Sequence, residues 1–297
     1  MPSRYERNER IRKKSRNKKR KKFIKCLIPI LLVILLLILV WGRFGEINIL
    51  TANDYRVENE NIPDSFNGLK IVHFSDMHYG TGYDEARLER LVDKINNYKP
   101  DIVVFTGDLV DKNYSLSDDD INLLVKHLAE IDSTLGKYAV VGDHDFYNEN
   151  YENIMYDSSF KVLKNNYDTV YYKENTPILI YGIDNISYGD PRIDILDKDS
   201  INNIKYKIVL LHEPDYVDQF VNDYDVSLVL AGHSHGGQVN IPGLKSLLLP
   251  DGAKNYYEDY YKINNVDIYI SNGVGSSVYD FRLFSAPSIN VYRLITK

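Results

Sequence analysis

Asp76-Met77-His78, Gly107-Asp108, Gly142-Asp143-His144-Asp145, His212 and Gly232-His233-Ser234-His235 follow one another along the chain. Together they offer carboxylate oxygens and imidazole nitrogens, a mixed donor set that suits borderline divalent cations such as Mn, Fe or Zn. One ion takes roughly three or four protein ligands. At least seven candidates recur here, enough for two adjacent ions that share a carboxylate. Such a pair suits in-line displacement at phosphorus, because both ions clamp the charge that develops. The expected chemistry is therefore two-metal phosphoester hydrolysis.

Taken singly, each motif is weak, since a Gly-Asp turn or a lone His often has a structural origin. Their placement is more informative. Of seven His in the chain, His78, His144, His212, His233 and His235 all fall where an apolar run ends. His73 and His127 fall inside a predicted strand and a predicted helix, and are read as structural.

The elements that must position these residues alternate between the two periodicities. Leu69–Phe74 reads as a strand leading to Asp76, and Asp84–Asn97 has Leu88, Leu91, Val92 and Ile95 at helical spacing. Asp101–Thr106 leads to Gly107-Asp108, Ser117–Leu135 reads as a helix, and Tyr138–Val141 leads to Gly142. Ile208–Leu211 leads to His212, and Val226–Ala231 to Gly232. In layered α/β folds the loops at strand carboxyl ends converge on one face and form the site. Val170–Tyr181 and Val266–Ile295 look antiparallel, so the expected fold class is α/β, a mixed β-sandwich flanked by helices.

Charge divides the chain. Residues 1–25 carry 13 Lys/Arg against two Glu, while the remainder has 23 basic and 40 acidic residues. Cys26 to Trp41 then supplies 16 apolar residues, extended to 22 from Phe23 to Phe44 with only Lys25 and Arg43 charged. A bilayer core takes about 20 helical residues. A cleaved secretory signal would be shorter and end in small residues, which Trp41-Gly42-Arg43-Phe44-Gly45 lacks. Pro29 is placed in the first turn of the span, where its missing N–H costs little. The basic flank keeps the tail cytoplasmic and sends the rest outside. The expected organisation is a basic tail (1–25), a transmembrane anchor (26–42), a juxtamembrane linker or strand (43–62) and a catalytic domain (63–297).

The order D-x-H, GD, GNH[DE], H, GHxH makes this chain resemble the calcineurin-like metallophosphoesterase superfamily. Gly232 to Gln238, followed by Ser271-Asn272-Gly273-Val274-Gly275, resembles a narrower branch of membrane-anchored bacterial phosphodiesterases and lipid-linked pyrophosphatases. The resemblance implies one ion held by Asp76, His78, Asp108 and His235, and a second held by Asp108, Asp143, His212 and His233. Asp108 would bridge them. His144 matches the family's histidine that donates to a phosphoryl or leaving-group oxygen. Asp111 matches the acid that orients this imidazole in some relatives, and Asp145 is a weaker supporting candidate. One departure stands out: the family's Asn in the GNH block is Asp143 here. The oxygen is kept, but added negative charge tightens metal binding and weakens the pull on an anionic phosphate.

The expected function is a membrane-anchored, two-metal phosphohydrolase. It would cleave a phosphoester, phosphodiester or pyrophosphate bond by attack of metal-bound hydroxide. Its substrate would be a phosphorylated small molecule, lipid-linked group or wall polymer. A catalytically weakened scaffold of the same fold is one rival, encouraged by Asp143. A nucleic-acid phosphodiesterase is another, disfavoured because the catalytic part is acidic. Two further features read as ordinary packing or lipid contact: the tyrosines Tyr256, Tyr257, Tyr260 and Tyr261, and the apolar stretch Leu244 to Pro250.

Overall fold

The computed structural model describes residues 3–241 and 249–297. It divides into two units, one ending at Gly45 and one running from Glu46 to Lys297. In the first unit, helix α1 (Arg4–Val40) is followed by a π-helical turn at Trp41–Gly45. Its apolar residues from Leu31 to Val40 are exposed. The helix that carries them is long and apolar enough to cross a membrane. Pro29 lies in the helix interior rather than its first turn, because α1 already begins in the basic tail at Arg4.

Among the described residues, the strands of the second unit are, in chain order, β1 (Thr51–Asn59), β2 (Lys70–Phe74), β3 (Ile102–Phe105), β4 (Gly136–Ala139), β5 (Phe160–Val162), β6 (Asn166–Val170), β7 (Ile178–Gly182), β8 (Lys207–Leu210), β9 (Leu228–Ala231), β10 (Tyr260–Ile263), β11 (Val266–Ile270) and β12 (Ser288–Thr296). They form two six-stranded sheets, ordered β1-β12-β2-β3-β4-β5 and β10-β11-β9-β8-β7-β6. The β2-β3-β4-β5 and β7-β8-β9 neighbours are parallel, whereas β12-β2, β6-β7 and β10-β11 are antiparallel. The fold is thus a mixed α/β sandwich.

Side-chain alternation assembles its layers. Ile71, Ile102 and Val104 meet Ile180, Ile208, Leu210, Leu228 and Leu230 in the core between the sheets. Their neighbours Val72, Phe74, Val103 and Phe105 point outward, beneath Leu88, Leu91 and Leu124 of helices α2 (Glu85–Asn97) and α3 (Asp118–Ala129). A third cluster joins Leu179, Val209 and Val229 to Val217 and Phe220 on the outer face of the other sheet. Asp84 caps α2 by accepting the Arg87 N–H, and Ser117 with Asp120 forms a capping box on α3. The helix expected over 117–135 stops at Ala129, because Leu135 already bonds the Asp101 carbonyl beside β3. Most of Leu244 to Pro250 lies outside the described residues.

Candidate metal centre

Parallel pairing brings the carboxyl ends of β2, β3 and β4 side by side, and those of β8 and β9 face them from the second sheet. The five motifs occupy the loops that follow. Backbone bonds stitch these loops together: Asp76 donates to the Gly107 carbonyl, and Met77 and His78 donate to the Asp108 carbonyl. Gly107 has φ +93°, and a Cβ there would fall 2.5 Å from the Gly142 nitrogen, so that close approach needs glycine. Asp76, His78, Asp108, His233 and His235 also adopt left-handed backbone, at φ between 48° and 67°. Non-glycine residues in that region cost free energy and persist where the surroundings over-determine them, often at functional sites.

All seven candidate ligands converge. Asp76, His78 and His235 form one group, and Asp108, Asp143, His212 and His233 another, with ligand atoms in each group within 4.8 Å of one another. Asp108 stands between them: its Oδ2 is 3.4 Å from His78 Nε2 and 3.3 Å from His212 Nε2. His235 Nε2 lies 3.0 Å from His78 Nε2 and 3.5 Å from Asp76 Oδ1. Asp143 Oδ1 is 3.1 Å from His212 Nε2 and 3.2 Å from His233 Nδ1.

The hydrogen bonds behind the imidazoles test whether cations fit. His212 Nδ1 donates to the Thr106 carbonyl (2.6 Å) and His233 Nε2 to the Asp251 carbonyl (2.8 Å). Their remaining nitrogens face each other at 3.0 Å. Nitrogens that close need positive charge between them, which a proton or a divalent cation supplies, and cation binding releases the proton. Backbone acceptors behind ligand imidazoles are the usual way of fixing ring orientation at metal sites. The donor set therefore fits two borderline divalent ions.

Electrostatics point the same way. Burial opposes charge on His212, yet Asp108, Asp143 and Asp76 hold it well above the usual imidazole range. Burial also works against ionised Asp108, but His212 and His78 outweigh it and keep the carboxyl below its usual range. Asp76 is pushed up to about 6 by burial and Asp108, and burial lowers His78 to about 4. Crowded carboxylates and neutral imidazoles in a dry site are what a cation stabilises.

His144 lies on the open side of the cluster and lines a cleft of about 370 Å³ with Asp108, Lys112 and Asp143. Its Nδ1 accepts the Lys112 N–H (3.1 Å), which leaves Nε2 as the donor. Asp111 Oδ2 is 3.7 Å from that Nδ1, beyond hydrogen bonding, and Asp111 instead accepts from Asn113. Asp145 is buried behind the site and accepts N–H bonds from Asp108, Leu109 and Gly142. Burial and Asp108 push its carboxyl up to about 7, against those donors.

Sequence reasoning missed Arg282. Its fully buried guanidinium donates to the carbonyls of Asn272 (2.7 Å), Gly275 (2.6 and 2.8 Å) and Ser285 (2.9 Å), behind His235. Burial lowers its pKa to about 10. A single Arg in a loop carries no spacing signal that could have marked it.

Residues 69–237 match the family profile of the calcineurin-like phosphoesterases. The uncharacterized metallophosphoesterase YkuE of Bacillus subtilis is 30% identical over 86% of this chain and 88% of its own length. A transmembrane protein with metallophosphoesterase domain from Danio rerio is 28% identical, over 80% of this chain and 55% of its own. The UDP-2,3-diacylglucosamine pyrophosphatase LpxG of Chlamydia muridarum is 24% identical, over 86% and 92%. With its paired carboxylate–imidazole clusters and this sequence kinship, the chain belongs to the calcineurin-like phosphoesterase family and is a metal-dependent phosphoester hydrolase.

Proposed function

We infer that this protein is a membrane-anchored two-metal phosphohydrolase acting outside the cytoplasm on a phosphoester, phosphodiester or pyrophosphate bond. One ion would take Asp76, His78, Asp108 and His235, and the other Asp108, Asp143, His212 and His233. The observation that carries this reading is Asp108 Oδ2, within 3.4 Å of an imidazole from each cluster. When bound, two such ions lower the pKa of water and neutralise charge on the phosphoryl group.

The chain's own groups account for the rest. Asp108 also accepts the His144 N–H through Oδ1 (3.0 Å), which fixes His144 against the bridging position. His144 Nε2–H then faces the cleft and donates to a phosphoryl or leaving-group oxygen. Lys112 at the cleft wall draws the anionic substrate in. Membrane association is supported by the exposed apolar run of α1, and the basic flank favours a cytoplasmic tail. A lipid-linked pyrophosphate is one substrate class that the likeness to LpxG supports.

Elemental analysis and turnover on mono-, di- and pyrophosphate substrates test the reading. Asp108→Ala is expected to empty both metal positions, whereas His78→Ala and His212→Ala each lower occupancy of one. Turnover that persists after exhaustive chelation, with no metal left in the protein, would contradict it.

A further inference from the structure

The metal cleft has an apolar rim that the phosphoesterase chemistry does not use. Val278, Tyr279 and Phe284 are 72%, 75% and 64% exposed within seven consecutive residues. Scattered surface apolar residues are ordinary, but a cluster at a cleft mouth marks an interaction site. Val278 and Tyr279 line the cleft itself, together with His144, His233 and Gln238.

This rim is built rather than loose. The Gln238 side chain donates to the Ser277 and Tyr279 carbonyls and accepts the Ser277 N–H, spanning Val278. Val278 and Phe284 sit at φ 65° and 56°. A β-branched residue adopts left-handed backbone only where its neighbours hold it there. Leu283 is paired to Gln238 and Asn240, which fixes the base of Phe284. Asp280, the one charge between Val278 and Arg282, is neutralised by a bidentate pair with Arg87 (2.8 and 3.1 Å).

The occupant is indicated by where the chain enters this unit. Glu46, the first residue of the unit, accepts the Ser285 N–H (2.6 Å), next to Phe284. Thr51 bonds the Pro287 carbonyl, and β1 runs on alongside β12. Only Gly42 to Gly45 separate Glu46 in sequence from Trp41, where the apolar run ends. Ser285 in turn bonds the His235 carbonyl (2.9 Å). The entry point, the rim and the metal ligands are thus linked within one small region.

We propose that Val278, Tyr279 and Phe284 form a bilayer-contacting rim, which seats the cleft mouth at the lipid surface and admits phosphate groups carried by membrane lipids. Aromatic and aliphatic side chains of this kind insert at the headgroup–acyl boundary, to a depth of about 5–10 Å. A lipid-borne phosphate then reaches Lys112 and His144 without leaving its leaflet. The proposal rests on the anchored reading of the protein.

Its test uses the full chain in a Cys26→Ser background, with one new cysteine each from Val278→Cys, Phe284→Cys or Tyr156→Cys. Each variant carries a small fluorophore and is reconstituted in phosphatidylcholine–phosphatidylglycerol liposomes that contain acyl-chain doxyl lipid. Labels at 278 and 284 are expected to be quenched several-fold more than the label at 156, an exposed position on helix α4 (Tyr151–Asp157). Equal quenching at all three positions, or at none, with the chain still co-floating with liposomes, overturns the rim alone. A chain that does not co-float overturns the anchor and the rim together. Neither readout involves turnover, so the phosphoesterase assignment stands apart from both.

Discussion

Asp143 Oδ1 sits 3.1 Å from His212 Nε2. Burial opposes ionisation of Asp143, but its bonds to His212 and His233 outweigh that and hold the carboxyl below its usual range. The position that carries Asn in the resembling family block is therefore a charged ligand candidate here. This is the clearest chemical individuality of the site.

Asp143→Asn keeps an oxygen in place and removes one negative charge. Metal retention is expected to weaken roughly tenfold, equal to about 1.4 kcal/mol. KM for a dianionic phosphomonoester should fall, because the loaded site becomes more positive. Dialysis against graded chelator and initial-rate kinetics read the two effects separately. Unchanged metal affinity would show that the extra negative charge of Asp143 does not strengthen metal binding.

Asp145 joins two site loops by accepting the N–H groups of Asp108, Leu109 and Gly142. Asp145→Ala leaves three buried donors without a partner, at about 1–3 kcal/mol each. A loss near 3 kcal/mol lowers the melting temperature of a unit this size by roughly 6–12 °C. Asp145→Asn retains one acceptor and should lose less than half as much. Thermal denaturation of both variants decides it, and two wild-type-like melting curves would remove the carboxylate from this role.

The motif loops were legible because chemistry and periodicity agree there. Each donor follows an apolar run, and the parallel pairing of β2, β3 and β4 gathers those run ends. What the sequence could not show is non-local or conformational. Residues 43–62 read as a linker or strand, since Asn53, Asp54, Arg56 and Glu58 mask the alternation. In the fold, β1 pairs along its whole length with β12, from Thr51 opposite Ser288 to Asn59 opposite Thr296. The left-handed backbone at five ligand candidates depends on contacts from other loops, as when Gly275 donates to the Asp76 carbonyl. Arg282 is invisible for another reason, because its partners are backbone carbonyls, at Asn272, Gly275 and Ser285, which leave no mark in the residue types.

Topology is open to a direct test. The basic block before the apolar run predicts a cytoplasmic tail and an external catalytic unit. Protease added to intact spheroplasts should degrade the segment after Gly45 and spare an epitope placed at the N-terminus. Full protection until lysis would reverse the orientation. Replacing the Lys/Arg of residues 12–22 by Gln or Ser should yield a mixed population, because insertion follows basic charge near the span.

His144 separates a working enzyme from a metal-holding scaffold most sharply. Its Nδ1 is occupied by the Lys112 N–H and its own N–H by Asp108, so only Nε2 is left to face the cleft. It lies outside both four-ligand sets proposed for the ions. His144→Ala should therefore leave metal content and melting temperature close to wild type while removing a hydrogen-bond donor to the leaving-group oxygen. Removing one hydrogen-bond donor aimed at developing oxygen charge costs about 10²–10³-fold, so turnover of an alkyl phosphoester should drop by about that much. A nitrophenolate leaving group needs little such stabilisation, and its loss should be clearly smaller. Equal losses for the two substrates would move His144 to stabilising the phosphoryl oxygens instead. No loss with either would take it out of the mechanism. If the wild-type chain loads metal but turns over none of these substrates, the scaffold reading gains, and restored activity in Asp143→Asn would trace the silence to that one carboxylate.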